Sequence, residues 1–146
     1  MPMKLSTRTR YGVRAILELA GNAGKGPLQL RVIARRQDIS VKYLEQLMAI
    51  LKSAGLIRSI RGAKGGYILA KPPDKIRLDE VFHCLEGTVT TAECVEDEKY
   101  CQRAPGCAAR IVWEQVHEAI EKVLGAITLQ DLIDKAEARG AVNYHI

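Results

Sequence analysis

Three helical patterns fill the first 53 residues of the chain and constrain its fold most strongly. Ser6 precedes apolar residues that recur at helical spacing to about residue 20. Leu28–Arg36 predicts a second helix, and a tight turn follows it. Ser40 then caps a third helix, Val41–Ser53, which ends before a left-handed C-cap at Gly55. Two helices separated by a tight turn predict a helix-turn-helix.

A β-hairpin is predicted directly after the third helix. Leu56–Arg61 and Gly66–Ala70 have the composition of strands, and a glycine-rich basic loop joins them. Pro72–Pro73 ends this unit because proline blocks its continuation as a helix. The predicted fold is therefore mostly α with a small β-hairpin wing, a winged helix-turn-helix. The predicted buried face of the third helix consists of Val41, Leu44, Leu47, Met48 and Leu51.

The basic residues are concentrated in the half of the chain that contains this pattern. Residues 1–75 carry 15 Lys and Arg against 4 Asp and Glu, whereas residues 76–146 carry 7 against 13. Charge divided in this way indicates a polyanionic partner for the first half, here double-stranded promoter DNA. The alternative is a basic face that is merely solvated.

The candidate DNA contacts lie on the third helix and on the hairpin. The N-terminal residues of a recognition helix contact base edges in the major groove. Here the predicted contacts are Ser40, Lys42, Tyr43, Glu45 and Gln46. At the tip of the wing, Arg61, Gly62 and Lys64 suit a narrow minor groove, which attracts arginine. Additional candidates for phosphate contacts are Arg8, Arg10, Arg14, Arg35 and Arg36.

The second half of the chain is predicted to be helical around an irregular stretch. Leu78–Glu86 forms a short helix, a long helix follows Cys107, and Thr128 caps a final helix. The long helix has the apolar spacing of a helix that packs on a partner helix. We therefore predict a DNA-binding domain in residues 1–73, and a cluster-binding loop with dimerisation helices in residues 74–146.

Three cysteines are spaced as C-x6-C-x5-C in the irregular stretch, at Cys94, Cys101 and Cys107. Thiolates hold iron–sulfur clusters or zinc, and both commonly take four protein ligands. Cys107 opens the long helix, where the positive end of the helix dipole favours a thiolate. An iron–sulfur cluster, a zinc ion, thiol redox sensing and unpaired cysteines are the alternatives. Cys84 lies in an apolar stretch and is predicted to be a core residue.

Two segments, MKLSTRTRYGVRAI and ISVKYLEQLMAILKSAGLIRSIRGAKGGYILA, precede the cysteines and a helix that contains Trp113. In this combination the chain resembles the IscR/NsrR family of dimeric winged-helix transcription regulators, and most closely its IscR branch. The resemblance implies an iron–sulfur cluster on Cys94, Cys101 and Cys107, with [2Fe–2S] favoured over [4Fe–4S]. It implies major-groove contacts by Ser40, Tyr43, Glu45 and Gln46, and minor-groove contacts by Arg61 and Gly62. It also implies a homodimer formed through the long helix.

The chain departs from this family pattern at the fourth ligand. IscR-like proteins carry a histidine three residues after the third cysteine, and Arg110 occupies that position here. NsrR-like proteins use an acidic residue of the first helix of the other subunit, and basic residues stand in that region here. Candidates for the fourth ligand are His83, His117, Cys84, a nearby glutamate or an exogenous thiol.

The resemblance implies a repressor that senses iron–sulfur cluster status and controls cluster biogenesis genes. The alternatives are a nitric-oxide-sensing or thiol/zinc redox-sensing winged-helix repressor, and a small electron-transfer iron–sulfur protein. The three histidines show no spacing to a nucleophile or a carboxylate pair, so we predict that the chain is not an enzyme. No apolar run reaches the roughly 18–20 residues that span a bilayer. The N-terminal residues lack the apolar core of a signal peptide, so we expect a cytoplasmic protein.

Overall fold

The computed structural model describes residues 5–87, 95 and 97–140. Its helices are α1 (Thr7–Gly21), α2 (Leu30–Gln37), α3 (Val41–Ser53), α4 (Leu78–Glu86), α5 (Ala108–Ala126) and α6 (Leu129–Ala138). Its strands are β1 (Ile57–Ile60) and β2 (Gly66–Leu69), and short 3-10 turns lie at Pro73–Lys75, Glu98–Tyr100 and Ala104–Gly106. The predicted class, mostly α with a two-stranded wing, is confirmed. None of the helices in these ranges is long and apolar enough to cross a membrane.

The predicted caps explain where three of the helices begin. Ser6 Oγ accepts a hydrogen bond from a backbone N–H in the first turn of α1, and Ser40 Oγ accepts one from Tyr43 N–H at 3.1 Å. Thr128 and Asp131 form a capping box in front of α6, in which each side chain accepts the backbone N–H of the other residue. These bonds satisfy N–H groups that have no partner within the helix.

The second helix begins two residues later than predicted. The N–H of Leu28 donates to the Tyr67 carbonyl at 3.0 Å, and the Leu28 carbonyl accepts the Tyr67 N–H at 2.9 Å. These bonds hold Leu28 in an isolated β-bridge beside β2, so α2 starts only at Leu30. The prediction of helix from Leu28 was wrong because this pairing joins residues that are far apart in the sequence.

A glycine makes the bridge between Leu28 and the wing sterically possible. In the hairpin, Ile57 lies opposite Leu69 and Ile60 lies opposite Gly66. Gly66 has φ +151°, and a Cβ atom on it would lie 2.5 Å from the Leu28 carbonyl oxygen. Only glycine allows so close an approach of two backbones. The wing is therefore held against the segment that leads into α2.

One hydrophobic core packs α1 against helices from both halves of the chain. Ile16 of α1, Leu44 of α3, Val81 and Leu85 of α4, and Leu129 of α6 are each at most 1% exposed in this cluster. The side chain of Leu85 packs directly on Gly12 of α1, where a Cβ atom would lie 2.5 Å from Leu85 Cδ1, so the glycine makes this close contact between α1 and α4 possible. Movement of α4 is therefore coupled through packed side chains to the helix-turn-helix. The assignment of separate functions to residues 1–73 and 74–146 stays a prediction.

The predicted buried face of α3 is confirmed at four of its five positions. Leu44, Leu47, Met48 and Leu51 are each at most 1% exposed, whereas Val41 is 44% exposed. The burial predicted for Val41 was wrong because it is the first residue of α3. Its neighbours on both sides are also exposed, so this end of the helix projects beyond the core.

The long helix α5 is anchored at its C-terminal end. Leu124 packs with Leu78 and Phe82 of α4 in a second buried cluster. The Leu78 N–H donates to the Ile127 carbonyl at 2.8 Å, just beyond the end of α5. Elsewhere on α5, large apolar side chains between 43% and 57% exposed face outward, namely Ile111, Val112, Trp113 and Val123.

Candidate DNA interface and cysteine turn

The N-terminal end of α3 presents the predicted recognition residues together. Lys42, Glu45 and Gln46 are exposed, and Tyr43 is half-buried. Ser40 is exposed, and its hydroxyl accepts the Tyr43 N–H as the N-cap. A hydroxyl that accepts one bond still carries a proton that it can donate. This end of α3 thus offers donors and acceptors of the kind that read base edges in a major groove.

The tip of the wing is a tight basic loop. Arg61, Gly62 and Lys64 are all exposed. The Gly65 N–H donates to the Gly62 carbonyl at 3.0 Å and closes the loop. Gly65 is buried, and a Cβ atom on it would overlap the Ile60 carbonyl oxygen. The glycines therefore keep the loop narrow, and the two basic side chains extend from it into solvent.

Three of the five arginines considered for phosphate contacts have contacts within the chain. Arg8 Nε donates to the Leu85 carbonyl at 2.6 Å, at the end of α4. The guanidinium carbon of Arg14 lies 5.6 Å from the centroid of the Tyr11 ring. Arg36 donates to a carboxylate at 3.0 Å. Arg10 and Arg35 are exposed. Each of the first three thus has a structural contact as well as a charge.

A buried carboxylate that sequence reasoning missed joins α1 to α2. Glu18 is 3% exposed, and its two carboxylate oxygens accept from Gln37 Nε2 at 2.7 Å and from Arg36 Nη1 at 3.0 Å. Both donors lie in the last turn of α2, directly before the turn that leads to α3. Glu18 thus joins α1 to the last turn of α2. The sequence did carry a sign of this contact, because Glu18 is a charged residue within the apolar run ILELA, whose residues are buried in α1.

Two of the three predicted ligands lie in a compact turn before α5. Cys101 and Cys107 are half-buried free thiols, and Cys107 is the N-cap residue of α5. The Ala104 N–H donates to the Cys101 carbonyl at 3.1 Å, and the Cys107 N–H donates to the Ala104 carbonyl at 3.3 Å. Cys94 lies outside the described residues. Within the described ranges no three His, Cys, Asp or Glu residues are grouped to hold a metal ion.

The candidates for a fourth ligand lie on α4 and α5. Cys84 is half-buried against the main core, and its thiol donates to the Val81 carbonyl at 3.1 Å. Burial raises the pKa of the Cys84 thiol, which disfavours the thiolate that a metal needs. His83 Nε2 is 3.1 Å from a carboxylate oxygen of Glu121. His117 lies on α5 and is half-buried.

The comparisons with known proteins identify the family. The family model described as "Rrf2: Iron-dependent Transcriptional regulator" matches residues 5–135. The chain belongs to the Rrf2 family. The transcriptional regulator CymR of Bacillus subtilis is 42% identical over 130 residues, which are 89% of each chain. IscR of Erwinia tasmaniensis is 36% identical over 135 residues, 92% of this chain and 81% of that one.

Solved structures of Rrf2 proteins have the same fold. The structure of CymR, named as the global cysteine regulator of Bacillus subtilis, matches with a TM-score of 0.79 and 40% identity, over 90% of this chain and 97% of that one. IscR of T. potens matches with a TM-score of 0.78 and 42% identity, over 97% and 94% of the two chains. The resemblance to the IscR branch is confirmed. These relatives are transcriptional regulators, so this Rrf2 protein is a DNA-binding regulator and not an enzyme.

A carboxylate at the end of α4 joins this helix to the start of α1 in this Rrf2 protein. Glu86 Oε2 accepts from the Ser6 N–H at 3.2 Å, from Ser6 Oγ at 2.7 Å and from the Thr9 hydroxyl. The hydrogen bond from Thr9 is the main cause of the lowered pKa of Glu86. Partial burial acts in the opposite direction, and the bonds from Ser6 and the nearby charge of Arg8 lower the pKa further. The ionised form of Glu86 is therefore the one that holds α1 to α4.

We expect Glu86→Gln to lower the free energy of unfolding by about 1 kcal/mol at pH 7, because charge-assisted hydrogen bonds are lost. The folded-state pKa lies below the usual value of about 4.3. The wild-type advantage is therefore complete above about pH 5, and it disappears as the pH falls through the lowered pKa. Urea unfolding of both proteins from pH 7 to pH 3 measures this difference. Asp74→Asn, at an exposed aspartate, is the control and should show no such trend. A difference that stays constant down to pH 3 would contradict this assignment.

Proposed function

We propose that this Rrf2 protein is a homodimeric repressor whose affinity for promoter DNA depends on an iron–sulfur cluster. In this proposal Cys94, Cys101 and Cys107 hold the cluster, and the regulated genes are those of iron–sulfur cluster biogenesis. The observation that carries the proposal is the position of two free thiols in the turn from which α5 begins. Similarity to IscR of T. potens over 97% of the chain supports the same assignment.

The donor set fits the chemistry of an iron–sulfur cluster. Thiolates are the ligands that such clusters prefer, and Cys101 and Cys107 are unpaired and half-buried. A half-buried position allows access for cluster assembly and excludes part of the bulk water. Two described cysteines cannot hold a cluster alone, so the proposal requires Cys94 as a third ligand. A bound cluster would supply an iron–sulfide link between the three thiolates.

A contiguous set of contacts leads from the cysteine turn to the recognition helix. Cys107 caps α5, so a displacement of the turn moves the first residues of that helix. The other end of α5 packs on α4 through Leu124 and Phe82. Leu85 of α4 lies in the core that also contains Leu44 of α3. We infer that the conformation of the cysteine turn changes the placement of α3 through these packed side chains.

The exposed apolar side chains of α5 support a homodimer. Several large apolar side chains exposed on one helix are typical of an association surface. A second copy of α5 would bury Ile111, Val112 and Val123, each about half exposed in the single chain. A two-fold dimer presents two α3 helices to two half-sites, and the operator must match their spacing. A small rotation at α5 would then change the fit to DNA.

The test of the proposed DNA surface is binding of anaerobically purified protein to an operator selected from random duplexes. We expect Gln46→Ala to weaken operator binding about tenfold, because a bidentate glutamine contact to adenine contributes about that discrimination. Gln130→Ala on α6 is the matched control and should bind like the wild type. Sedimentation of the bound species should give two chains of 16.1 kDa on each operator. Failure of the wild type to select any sequence would sink the proposed DNA reading.

A thiol-based regulator is the second candidate function. The specific observation in its favour is the 42% identity to CymR, whose solved structure is named as a global cysteine regulator. In this case the Cys101 and Cys107 thiolates would bind zinc or would be oxidised by a peroxide. Ultraviolet–visible absorption of the anaerobic protein separates the two candidates, because only an iron–sulfur cluster gives visible charge-transfer bands.

A further inference from the structure

An aromatic contact joins α1 to the recognition helix. Tyr43 is the third residue of α3, and its ring lies 6.3 Å from the ring of Tyr11 in α1, with an angle of 82° between their planes. Both tyrosines are half-buried and pack against the main core. The guanidinium carbon of Arg14, one turn further along α1, lies 5.6 Å from the centroid of the Tyr11 ring. The three side chains thus form a continuous stack from α1 to the DNA-facing end of α3.

The geometry of this stack is electrostatically favourable at both contacts. Aromatic rings prefer edge-to-face arrangements because the positive edge of one ring meets the negative face of the other. A guanidinium within about 6 Å of a ring centroid is attracted by the same negative face. Tyr11 therefore has a fixed position between two partners. Its ring limits the rotamers that are open to Tyr43.

We propose that Tyr11 and Arg14 are positioning residues that fix the direction of the Tyr43 side chain for reading a base edge. This inference rests on the proposed function, in which Tyr43 contacts the major groove. A side chain that is ordered before binding loses less conformational entropy on DNA than a free one. A fixed ring also presents its hydroxyl at one place, so the stack contributes to the choice of base. Phosphate contacts by lysine and arginine elsewhere do not depend on it.

The consequence is a separation between specific and non-specific binding. Loss of the Tyr11 ring leaves the basic surface intact, so the affinity for random-sequence DNA and its salt dependence should persist. Affinity for the selected operator should fall, because Tyr43 then samples several directions. The loss should appear at one base position in each half-site, where single-base substitutions of the operator should discriminate less.

The test compares Tyr11→Leu with Tyr11→Phe, since phenylalanine keeps the ring and leucine removes it. We expect Tyr11→Leu to reduce the ratio of operator to random-DNA affinity about fivefold, and Tyr11→Phe to restore it to within a factor of two. Arg14→Gln removes a positive charge as well as the contact with the Tyr11 ring, so its affinity for random DNA is measured alongside, and the ratio should fall about twofold. In a Tyr43→Ala background the leucine substitution should have no further effect on the ratio.

The pattern of losses separates a positioning role of Tyr11 from damage to the fold. If the wild type prefers its operator and Tyr11→Leu keeps that preference unchanged, the positioning role is overturned and the proposed function stands. Equal losses on operator and random DNA also overturn it, because they indicate a damaged fold. If the leucine variant does not fold, the ratio of operator to random-DNA affinity of Arg14→Gln decides the question, and a ratio equal to that of the wild type overturns the positioning role. A wild type with no operator preference overturns the proposed function and this inference together.

Discussion

Substitution of Cys101 or Cys107 by serine should abolish the visible absorption of anaerobically reconstituted protein. Both thiols are free and flank the turn before α5, and a serine hydroxyl is not a thiolate ligand. With two thiolates left, the variant should retain less than about a tenth of the wild-type iron and sulfide. Cys84→Ser is the matched control, because that thiol is bonded within α4 and has a raised pKa.

The same variants also test the link from the cysteine turn to DNA. Each should bind the selected operator with the affinity of cluster-free wild type, whether or not iron and sulfide are added. The measurement is a titration of labelled operator under anaerobic conditions, with iron analysis of the same samples. Full brown colour in Cys101→Ser, or an operator affinity that still follows added iron and sulfide, would exclude the assigned ligands.

Substitution of Glu18 by alanine should lower the free energy of unfolding by about 3 kcal/mol. The carboxylate is buried, and its loss leaves the buried side chain of Gln37 without its acceptor. The side chain of Arg36, the other partner of Glu18, is 44% exposed. Water can replace the carboxylate there, so the loss of this ion pair contributes little to the destabilisation. Chemical denaturation of the wild type and the variant measures the difference.

Two further variants make the Glu18 result specific. Glu18→Gln keeps an amide oxygen for Gln37 and should cost about half as much. Glu114→Ala removes an i,i+4 ion pair with Arg110 at 3.0 Å on α5, in which the glutamate side chain is 38% exposed, and should cost at most about 1 kcal/mol. Equal costs for Glu18→Ala and Glu114→Ala would contradict the assigned role. Because Glu18 joins α1 to the end of α2, its alanine variant should also bind the operator more weakly.

The elements predicted well are those whose ends are coded by nearby residues. Ser6, Ser40 and Thr128 each cap the helix that follows them, and the bonds that do so span three residues. The hairpin was predicted because its loop glycines and its strand residues are neighbours in sequence. Lys42, Glu45 and Gln46 were correctly predicted to be exposed on α3, because helical periodicity alone determines which residues share a face, whereas Tyr43 is half-buried.

The errors and omissions concern contacts between segments that are distant in sequence. Leu28 was placed in a helix, and its partner Tyr67 lies in the wing. The contact of Tyr11 with Tyr43 was not predicted, because it appears only when α1 and α3 pack together. Glu86 had no predicted role. Its carboxylate accepts hydrogen bonds from the N-cap residue and the first turn of α1, which are far from it in the sequence.

Local sequence determined where α1, α3 and α6 begin, most of the residues that α3 exposes and which thiols stand before α5, because caps and periodicity act over one or two turns. Tertiary structure alone decided how these parts are joined. The burial of Glu18, the stack of Arg14 and Tyr11 on Tyr43, and the bonds from α1 to Glu86 each depend on the angle between two helices. That angle is set by the shape of the whole core, to which residues from both ends of the chain contribute, and no short segment contains it.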